Sequence, residues 1–345
     1  MGDIIDQNVR GTDLHEVQTF AIPLGQLTLT PLPNGKRRIT VQPSEPMFVS
    51  VWTWDTAYPP ELVKLIGDEV GVPGVCDEIR RDEDPTYLQL NIHDTFDLYF
   101  PGETLADKRL MDFGCGRGAS TAILGRRFPQ AEIVGVELVE SMLRIGRARA
   151  AFYGLDRVRF LASPSGTELP ENIGQFDVIF LNAVYEHLLP DERTALLPRL
   201  WAALRPGGRL VLIETPYRYF PLESHTTGLP FINYLPDRLA YPMATRFSKR
   251  ITPGATWEHL LRAGIRGGAW KTILRDFGPD AHPLMLRPSQ GNAVDHWYLT
   301  SAKRSTGRKR VAKRVFKVAA QMLYSLTGIL CLPEVRMVIQ KREAS

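Results

Sequence analysis

The fold is indicated by one stretch of the sequence, Arg109-Leu110-Met111-Asp112-Phe113-Gly114-Cys115-Gly116-Arg117-Gly118-Ala119-Ser120. Its first five residues are mostly apolar, as in a buried strand, and three glycines at alternate positions lead into a helical segment. Glycine has no Cβ atom, so a ligand can approach the backbone of such a turn closely. The stretch therefore predicts a strand, a ligand-binding turn and a helix, in that order.

The glycine spacing distinguishes this turn from a dinucleotide site. Gly114-x-Gly116-x-Gly118 lacks the final interval of Gly-x-Gly-x-x-Gly, and Asp112 would repel a pyrophosphate. The stretch resembles motif I of the class I S-adenosylmethionine-dependent methyltransferases, whose ligand carries an amino group and a sulfonium. This resemblance implies S-adenosyl-L-methionine as the cofactor. It also implies that the donor is bound by Asp112, Gly114, Cys115, Gly116 and Gly118.

After Arg109, short apolar runs alternate with amphipathic segments, which predicts a parallel sheet with helices on both faces. The predicted strands are Arg109–Phe113, Ile133–Glu137, Val158–Leu161, Phe176–Leu181, Arg209–Glu214, one near Trp270–Leu274, and Glu334–Gln340. Arg205-Pro206-Gly207-Gly208 resembles the Pro-Gly-Gly turn of the same methyltransferases. The resemblance implies an α/β, Rossmann-like class I methyltransferase fold. Its central, mostly parallel seven-stranded sheet would carry helices on both faces, an N-terminal extension and a C-terminal helical insertion.

The chain of 345 residues is long enough for one large core with additional segments. We predict an N-terminal extension with a small hairpin, an aromatic cluster and a helix (1–86), a methyltransferase core (87–290) with a substrate insertion (215–250), a basic amphipathic helical insertion (291–332), and a last core strand and tail (333–345). The segment Tyr87–Phe100 is a candidate lid, because the segment before motif I often covers the donor in the methyltransferases that this chain resembles.

Composition restricts the cellular and redox context. Met1–Gln18 is polar and acidic and has no apolar run, so no signal peptide is predicted and a cytoplasmic protein is expected. The three cysteines lie far apart and form no Cys-x-x-Cys pair. Neither a disulfide framework nor a thiolate metal site is therefore expected.

Further donor-binding residues are predicted at the carboxyl ends of the strands, where ligands of parallel sheets bind. The Glu137 carboxylate can accept both ribose hydroxyls of a nucleoside, although NAD enzymes use an acid in the same way. Leu138 would form an apolar wall for adenine. Where the family usually has an acid at the adenine amino group, this chain has Ser163. Asn182, after the fourth strand, completes the predicted donor site.

Two pairs of an acid and a histidine follow the fourth and fifth strands, Glu186 with His187 and Glu223 with His225. One interpretation is that a histidine is the general base for a substrate hydroxyl and is held by a carboxylate. Another is that the four residues bind a divalent metal that lowers the hydroxyl pKa. Some quinone-pathway and RNA 2′-O-methyltransferases carry Glu-x-x-Glu-His here, but the first acid is replaced by Ala183. No metal is therefore predicted, and the four residues are the candidate catalytic set.

The loop after the fifth strand is aromatic and rich in proline, as substrate-recognition insertions often are. It is similar to the insertion of methyltransferases encoded with surface-polysaccharide and glycolipid enzymes, which implies a hydroxyl of a glycan or glycolipid acceptor. A quinone or phenolic O-methyltransferase is the alternative, since aromatic faces also suit a quinol ring. A different class of function is an inactive donor-binding module that recruits a partner to the membrane.

A run of cations stands near the C-terminus and contains no acid: Lys303, Arg304, Arg308, Lys309, Arg310, Lys313, Arg314 and Lys317. The segment 303–332 reads as a basic amphipathic helix that lies on an anionic membrane or packs on the core. Polar residues interrupt it too often for a membrane span. Nucleic acid is not expected as a partner, because no recognised binding module accompanies the run. The expected localisation is therefore cytoplasmic, with peripheral binding to the inner face of the membrane as an option.

Overall fold

A computed structural model describes residues 16–303, 305–327 and 330–343. The chain forms two compact units that divide between Asp84 and Pro85. Most of the segment used to predict that no signal peptide is present lies outside the described residues, as does Arg304 of the basic run.

The N-terminal unit is a four-stranded antiparallel sheet with one helix. The strands, in their order in the sheet, are β1 (Gln18–Ile22), β2 (Gly25–Pro31), β3 (Arg37–Pro43) and β4 (Thr53–Thr56), and the helix is α1 (Pro60–Glu83). Apolar residues alternate along β2 and β3 and are buried, as the two-residue period of a half-buried sheet requires. The predicted hairpin is formed by these two strands, and α1 has a kink at Gly71, where φ is 66°.

The second unit contains a seven-stranded sheet. Its strands are β5 (Arg109–Phe113), β6 (Glu132–Glu137), β7 (Val158–Ala162), β8 (Phe176–Asn182), β9 (Leu204–Pro216), β10 (Leu284–Met285) and β11 (Glu334–Gln340). Their spatial order is β7-β6-β5-β8-β9-β11-β10. The first five are parallel, whereas β11 and β10 each run antiparallel to the preceding neighbour. The predicted α/β fold with a mostly parallel seven-stranded sheet is confirmed.

Helices pack on this sheet and also form the substrate insertion and the basic insertion. They are α2 (Leu88–Tyr99), α3 (Ala119–Arg127), α4 (Glu140–Phe152), α5 (Pro190–Ala203), α6 (Asp237–Phe247), α7 (Trp257–Arg262), α8 (Trp270–Asp276), α9 (Ala293–Lys303) and α10 (Gly307–Thr327). In α2, the candidate lid, Leu88, Ile92 and Phe96 are buried in a core shared with α3 and the sheet. Their spacing of four residues places them on one helix face, so this segment is a core helix, and its role as a lid stays a prediction.

The prediction of a strand near Trp270–Leu274 is also wrong, because this segment is helix α8. Ile273 and Phe277 are buried four residues apart and pack, with Trp270, in the core on one face of the sheet. That spacing is the helical period, and the sheet instead gains its edge strand from the two residues of β10. The predicted turn at 205–208 lies inside the irregular start of β9, where Gly207 has a φ of 76°.

The predicted basic insertion consists of α9 and α10, which pack against each other. The rings of Trp297 and Phe316 lie 5.0 Å apart, centroid to centroid. Within the described ranges, no helix has both the length and the apolar character that crossing a membrane requires.

Candidate active site

The candidate site lies at one edge of the sheet. Strands β7, β6, β5, β8 and β9 are parallel, so their carboxyl ends, and the loops that follow them, meet at that edge. The predicted donor residues follow β5 to β8, and the candidate catalytic residues follow β8 and β9. The topology therefore brings both sets to the same side of the sheet.

The three glycines of the turn after β5 all have positive φ angles, of 70°, 53° and 77°, but they serve different purposes. A Cβ atom on Gly114 would lie 2.7 Å from Val184, and one on Gly118 would lie 2.6 Å from the Cα atom of Gly146. These two positions are glycine because protein atoms leave no room. A Cβ atom on Gly116 would meet nothing within 4 Å. Only Gly116 therefore faces open space, where a ligand can approach the turn.

Glu137 at the end of β6 faces this turn. Its carboxylate accepts hydrogen bonds from the backbone amides of Gly116 at 3.0 Å and Leu138 at 2.6 Å. Three apolar side chains beside it are exposed, by 51% at Leu138, 39% at Val139 and 38% at Leu161. A carboxylate next to an exposed apolar surface suits a nucleoside, with the ribose hydroxyls at the acid and the base against the apolar side chains.

Asp112 is buried beneath the turn. One of its oxygens accepts hydrogen bonds from the hydroxyls of Ser120 at 2.7 Å and Thr121 at 2.6 Å. Burial raises the pKa of this carboxyl to about 6, although both hydrogen bonds oppose the shift. The Cys115 side chain is also buried and packs in a cluster with Phe160. The thiol of Cys115 therefore belongs to the core, and only its backbone belongs to the turn.

Ser163 and Asn182 differ in what their side chains are free to bind. The Ser163 hydroxyl already lies within hydrogen-bonding distance of the carbonyl oxygens of Ser165 at 2.9 Å and Glu168 at 2.5 Å. The hydroxyl proton of Ser163 is thus directed to its own loop, so the structure does not support the predicted contact between Ser163 and the adenine amino group. In contrast, the Asn182 Oδ1 atom is buried and has no hydrogen-bond partner among the described residues. An unpaired buried acceptor at this edge suits a ligand that donates, such as an ammonium group.

Glu186, His187 and His225 form a cluster after β8 and β9. The His187 Nε2 atom lies 3.9 Å from Oε1 of Glu186, and the two imidazole centroids are 5.7 Å apart. The His187 Nδ1–H group donates a hydrogen bond to the carbonyl oxygen of Arg262 at 2.7 Å, which fixes the ring. The Thr215 hydroxyl donates to the other oxygen of Glu186 at 2.8 Å. The Nε2 atom of His187 is therefore the nitrogen left to accept a proton.

The environment of the cluster favours uncharged groups. Glu186 is fully buried, and within the described chain its Oε1 atom has no hydrogen-bond partner. Burial raises the pKa of this carboxyl, while the charge of His187 opposes the rise. Partial burial of the ring, and then the neighbouring His187, lower the pKa of His225. A ring nitrogen of His225 thus lies within 4.8 Å of a carboxylate oxygen of Glu186, in a site that disfavours charge on both groups.

The sequence suggested that Glu223 pairs with the ring of His225, but the structure shows no such pair. Its carboxylate instead accepts hydrogen bonds from the backbone amides of His225, Thr226 and Thr227, and from the Thr227 hydroxyl. Four donors from its own loop explain why this acid is buried. Glu223 therefore holds the loop that carries His225 and acts on the imidazole only through its charge.

The cluster could also hold a metal ion. One ligand atom each from Glu186, His187 and His225 lie within 4.8 Å of one another. Two imidazoles and a carboxylate are ligands that zinc and other divalent transition metals accept. Ala183, at the place of the missing acid, offers no ligand, so the set has three members. The prediction that no metal takes part stays a prediction.

Sequence reasoning missed two residues that shape the cluster. Gly264 (φ 88°) follows α7, and a Cβ atom there would lie 2.8 Å from the His225 ring and 3.2 Å from Glu186. Glu214, near the end of β9, has a φ of 62° and accepts a hydrogen bond from the Asn91 amide. A glycine after a short helix has the ordinary meaning of a helix end, so its packing against the site had no signal in the sequence.

A row of aromatic rings continues from the site into the substrate insertion. Tyr217 packs against Trp270 at 4.7 Å and against Tyr219 at 5.9 Å between ring centroids, and Tyr234 continues the row to Phe231. Tyr219, Tyr234 and Phe231 are exposed by 46% to 62%. Exposed aromatic faces that follow a catalytic strand are suitable walls for an acceptor.

These residues fit S-adenosylmethionine. The open face of Gly116 admits a ligand, the Glu137 carboxylate suits its ribose, and the exposed Leu138 suits its adenine. The unpaired Asn182 oxygen and the Asp112 carboxyl suit its cationic amino-acid end. The loop that carries the cluster contacts the turn through Val184, so a methyl group held by the turn would lie near the acceptor side of the edge.

Comparison with known proteins agrees with this fit. Residues 110–208 match the family model described as a methyltransferase domain. Trans-aconitate 2-methyltransferase of Methylobacterium radiotolerans is 31% identical over 243 residues, which are 62% of this chain and 87% of that protein. Demethylmenaquinone methyltransferase of Thermus thermophilus is 37% identical over 32% of this chain and 49% of that protein.

Among solved structures, geranyl diphosphate C-methyltransferase of Streptomyces coelicolor is 17% identical and has a TM-score of 0.42, with 83% of this chain and 86% of that chain covered. The similarity to the Methylobacterium protein extends over most of that relative, and the match to the methyltransferase domain includes the donor turn. The chain belongs to the class I S-adenosylmethionine-dependent methyltransferases, and S-adenosylmethionine is its methyl donor.

Proposed function

We propose that the protein transfers the methyl group of S-adenosylmethionine to a hydroxyl oxygen of a glycan or glycolipid. The observation that carries this proposal is the cluster of Glu186, His187 and His225 beside the donor turn. A hydroxyl must lose its proton as its oxygen attacks the methyl carbon, so transfer to oxygen needs a proton acceptor. A carboxylic acid has already lost its proton at neutral pH and needs none.

His187 is assigned as the general base. Its Nδ1 proton is held by the Arg262 carbonyl, so Nε2 carries the lone pair that takes the hydroxyl proton. The imidazolium that forms lies 3.9 Å from Oε1 of Glu186, and its positive charge opposes the rise in the Glu186 pKa, so an ionised carboxylate is favoured beside the charged ring and stabilises it. The sulfonium donor supplies the methyl group, and the role of the chain is to position the acceptor oxygen and to remove its proton.

A quinol or phenol is the second candidate acceptor. The aromatic row from Trp270 to Phe231 favours it, because a planar ring can stack on such faces. The same row also suits the apolar face of a sugar. The relatives named for trans-aconitate and for demethylmenaquinone indicate that small-molecule acceptors occur among similar proteins.

Peripheral attachment to a membrane is proposed separately from methyl transfer, because a glycolipid acceptor resides there. The supporting observation is the run of exposed cations on α10. A donor-binding module without activity is the competing class of function, and the intact turn and base cluster count against it.

A screen of labelled methyl transfer tests the proposal. The acceptors are a sugar mixture, a glycolipid extract, a quinol and trans-aconitate, each assayed with and without a chelator. We expect label in a methyl ether of a sugar or glycolipid. Label in trans-aconitate alone would replace the hydroxyl acceptor with a carboxylate, and donor binding without transfer to any acceptor would favour the inactive module.

The chelator separates the two roles of the cluster. If His187 acts as the base, the chelator leaves the rate unchanged. If a metal activates the hydroxyl, the chelator abolishes transfer and one added divalent cation restores it.

A further inference from the structure

Helix α10 uses one face to pack on the protein and leaves the opposite face exposed. On the packed face, Phe316 and Ala320 lie in a small core with Trp297 of α9. The ammonium group of Lys317 also pairs with Asp295 at 2.8 Å. These contacts engage one side of the helix, and the opposite side is exposed to solvent.

The exposed face carries a stripe of apolar side chains. They are spaced by three or four residues and exposed by 63%, 65%, 46%, 61% and 85%: Val311, Val315, Val318, Met322 and Leu326. This spacing places them on one side of the helix. A soluble helix that already packs by one face has no structural need for a second apolar stripe, so the stripe indicates a binding surface.

The charges around the stripe specify the occupant. Four exposed cations, Arg308, Lys309, Arg310 and Arg314, lie in the first half of the helix. The sequence contains no Asp or Glu between Asp295 and Glu334. A cationic helix half combined with an apolar stripe complements a surface that is anionic outside and apolar beneath, which is a bilayer with acidic headgroups.

The substrate insertion contacts this helix and has a similar stripe of its own. Phe220, which follows β9, packs on Phe316 of α10 with 5.8 Å between ring centroids. In α6 of the insertion, Leu239, Met243 and Phe247 are four residues apart and exposed by 49%, 41% and 58%. The insertion that is proposed to hold the acceptor thus contacts α10 and carries an exposed apolar stripe of its own.

We propose that the apolar stripe of α10, together with the four exposed cations of its first half, binds the surface of an anionic lipid bilayer. This inference deepens the proposed function, because a membrane-bound protein would meet a glycolipid acceptor in the bilayer that holds it. Binding to vesicles is measured without donor or acceptor, so its failure would leave the methyl-transfer proposal intact.

Flotation of the full chain with vesicles tests the proposal. The vesicles are phosphatidylcholine alone, or phosphatidylcholine and phosphatidylglycerol in equal parts. We expect binding only to the anionic vesicles, and release at high salt, because salt screens the attraction between exposed charges. The double variant Arg310→Gln/Arg314→Gln should bind about 25-fold more weakly, at about fivefold for each cation. The double variant Val315→Gln/Met322→Gln should lose about tenfold or more.

Two matched controls have the same changes on other exposed surfaces. Arg144→Gln/Arg199→Gln removes two exposed cations, and Val17→Gln/Phe48→Gln replaces two exposed apolar residues. Both should bind as the native chain does. All variants change exposed side chains, and circular dichroism with donor binding checks that each is folded. The proposal is overturned if the native chain ignores anionic vesicles, if the α10 variants bind like their controls, or if the cations bind a DNA or RNA duplex and not the vesicles.

Discussion

The donor side and the acceptor side of the sheet edge are built in different ways. On the donor side, Asp112, the glycine turn and Glu137 belong to one continuous part of the chain, which runs from β5 through α3 to β6. On the acceptor side, His187 is oriented by Arg262, which is 75 residues away in the chain. The donor side is thus local in sequence, whereas the acceptor side is assembled from distant loops. A shared cofactor can be recognised by a short motif, and a particular acceptor cannot.

The largest expected effect concerns Gly116. Gly116→Val should reduce donor binding below detection, because the branched side chain would occupy the open face of the turn. Isothermal calorimetry with S-adenosylmethionine measures this. Gly154→Val is the matched control, since Gly154 also has a positive φ angle, of 63°, and no atom near its virtual Cβ. Both variants should lose about 1–2 kcal/mol of folding stability through backbone strain. Equal donor binding by the two variants would contradict the placement of the donor.

The second-largest expected effect concerns the two histidines on the acceptor side. His187→Ala should lower kcat by about a hundredfold, the usual contribution of a general base, while the donor Kd stays near its native value. His225→Ala should cause a smaller loss, because this residue forms the wall of the cluster and is not the assigned base. His282→Ala is the control, as this histidine is exposed in a different loop. Native turnover in both cluster variants would remove the base from the mechanism.

The smallest effect is a pH dependence of donor binding. Burial raises the pKa of Asp112 to about 6, and the ammonium group of the donor favours the ionised carboxylate. Donor affinity should therefore fall by about tenfold between about pH 7.5 and about pH 5 as Asp112 takes up a proton. Asp112→Asn should flatten this profile, and the exposed Asp156→Asn should not.

The stability of the donor-free protein should change in the opposite direction. The folded-state pKa of Asp112 lies above that of an unfolded chain, so the folded state binds the proton more tightly. The contribution of this group to stability therefore increases as the pH falls through about 6. Thermal melts at the two pH values measure it, and a donor affinity that does not vary with pH would separate Asp112 from the donor.

The sequence was sufficient for the sheet and for the donor motif because both depend on local patterns. The strand at Arg109–Phe113, the glycine turn and the acid at Glu137 occur where the periodicity and the motif place them. The prediction of a strand near Trp270 was wrong because a short apolar segment leaves helix and strand ambiguous without tertiary contacts. The role of Glu223 could not be foreseen, because an acid two residues from a histidine does not reveal that four donors of its own loop bind it.

Gly264 has a consequence for the evolution and redesign of this enzyme. It is the place where the smallest possible change, one methyl group, would press on His225 and Glu186 together. A chain with alanine there would have to shift the histidine outward and narrow the space beside it. A substitution at position 264 would therefore change both the space available to the acceptor and the alignment of the base. It would alter no residue that contacts the donor.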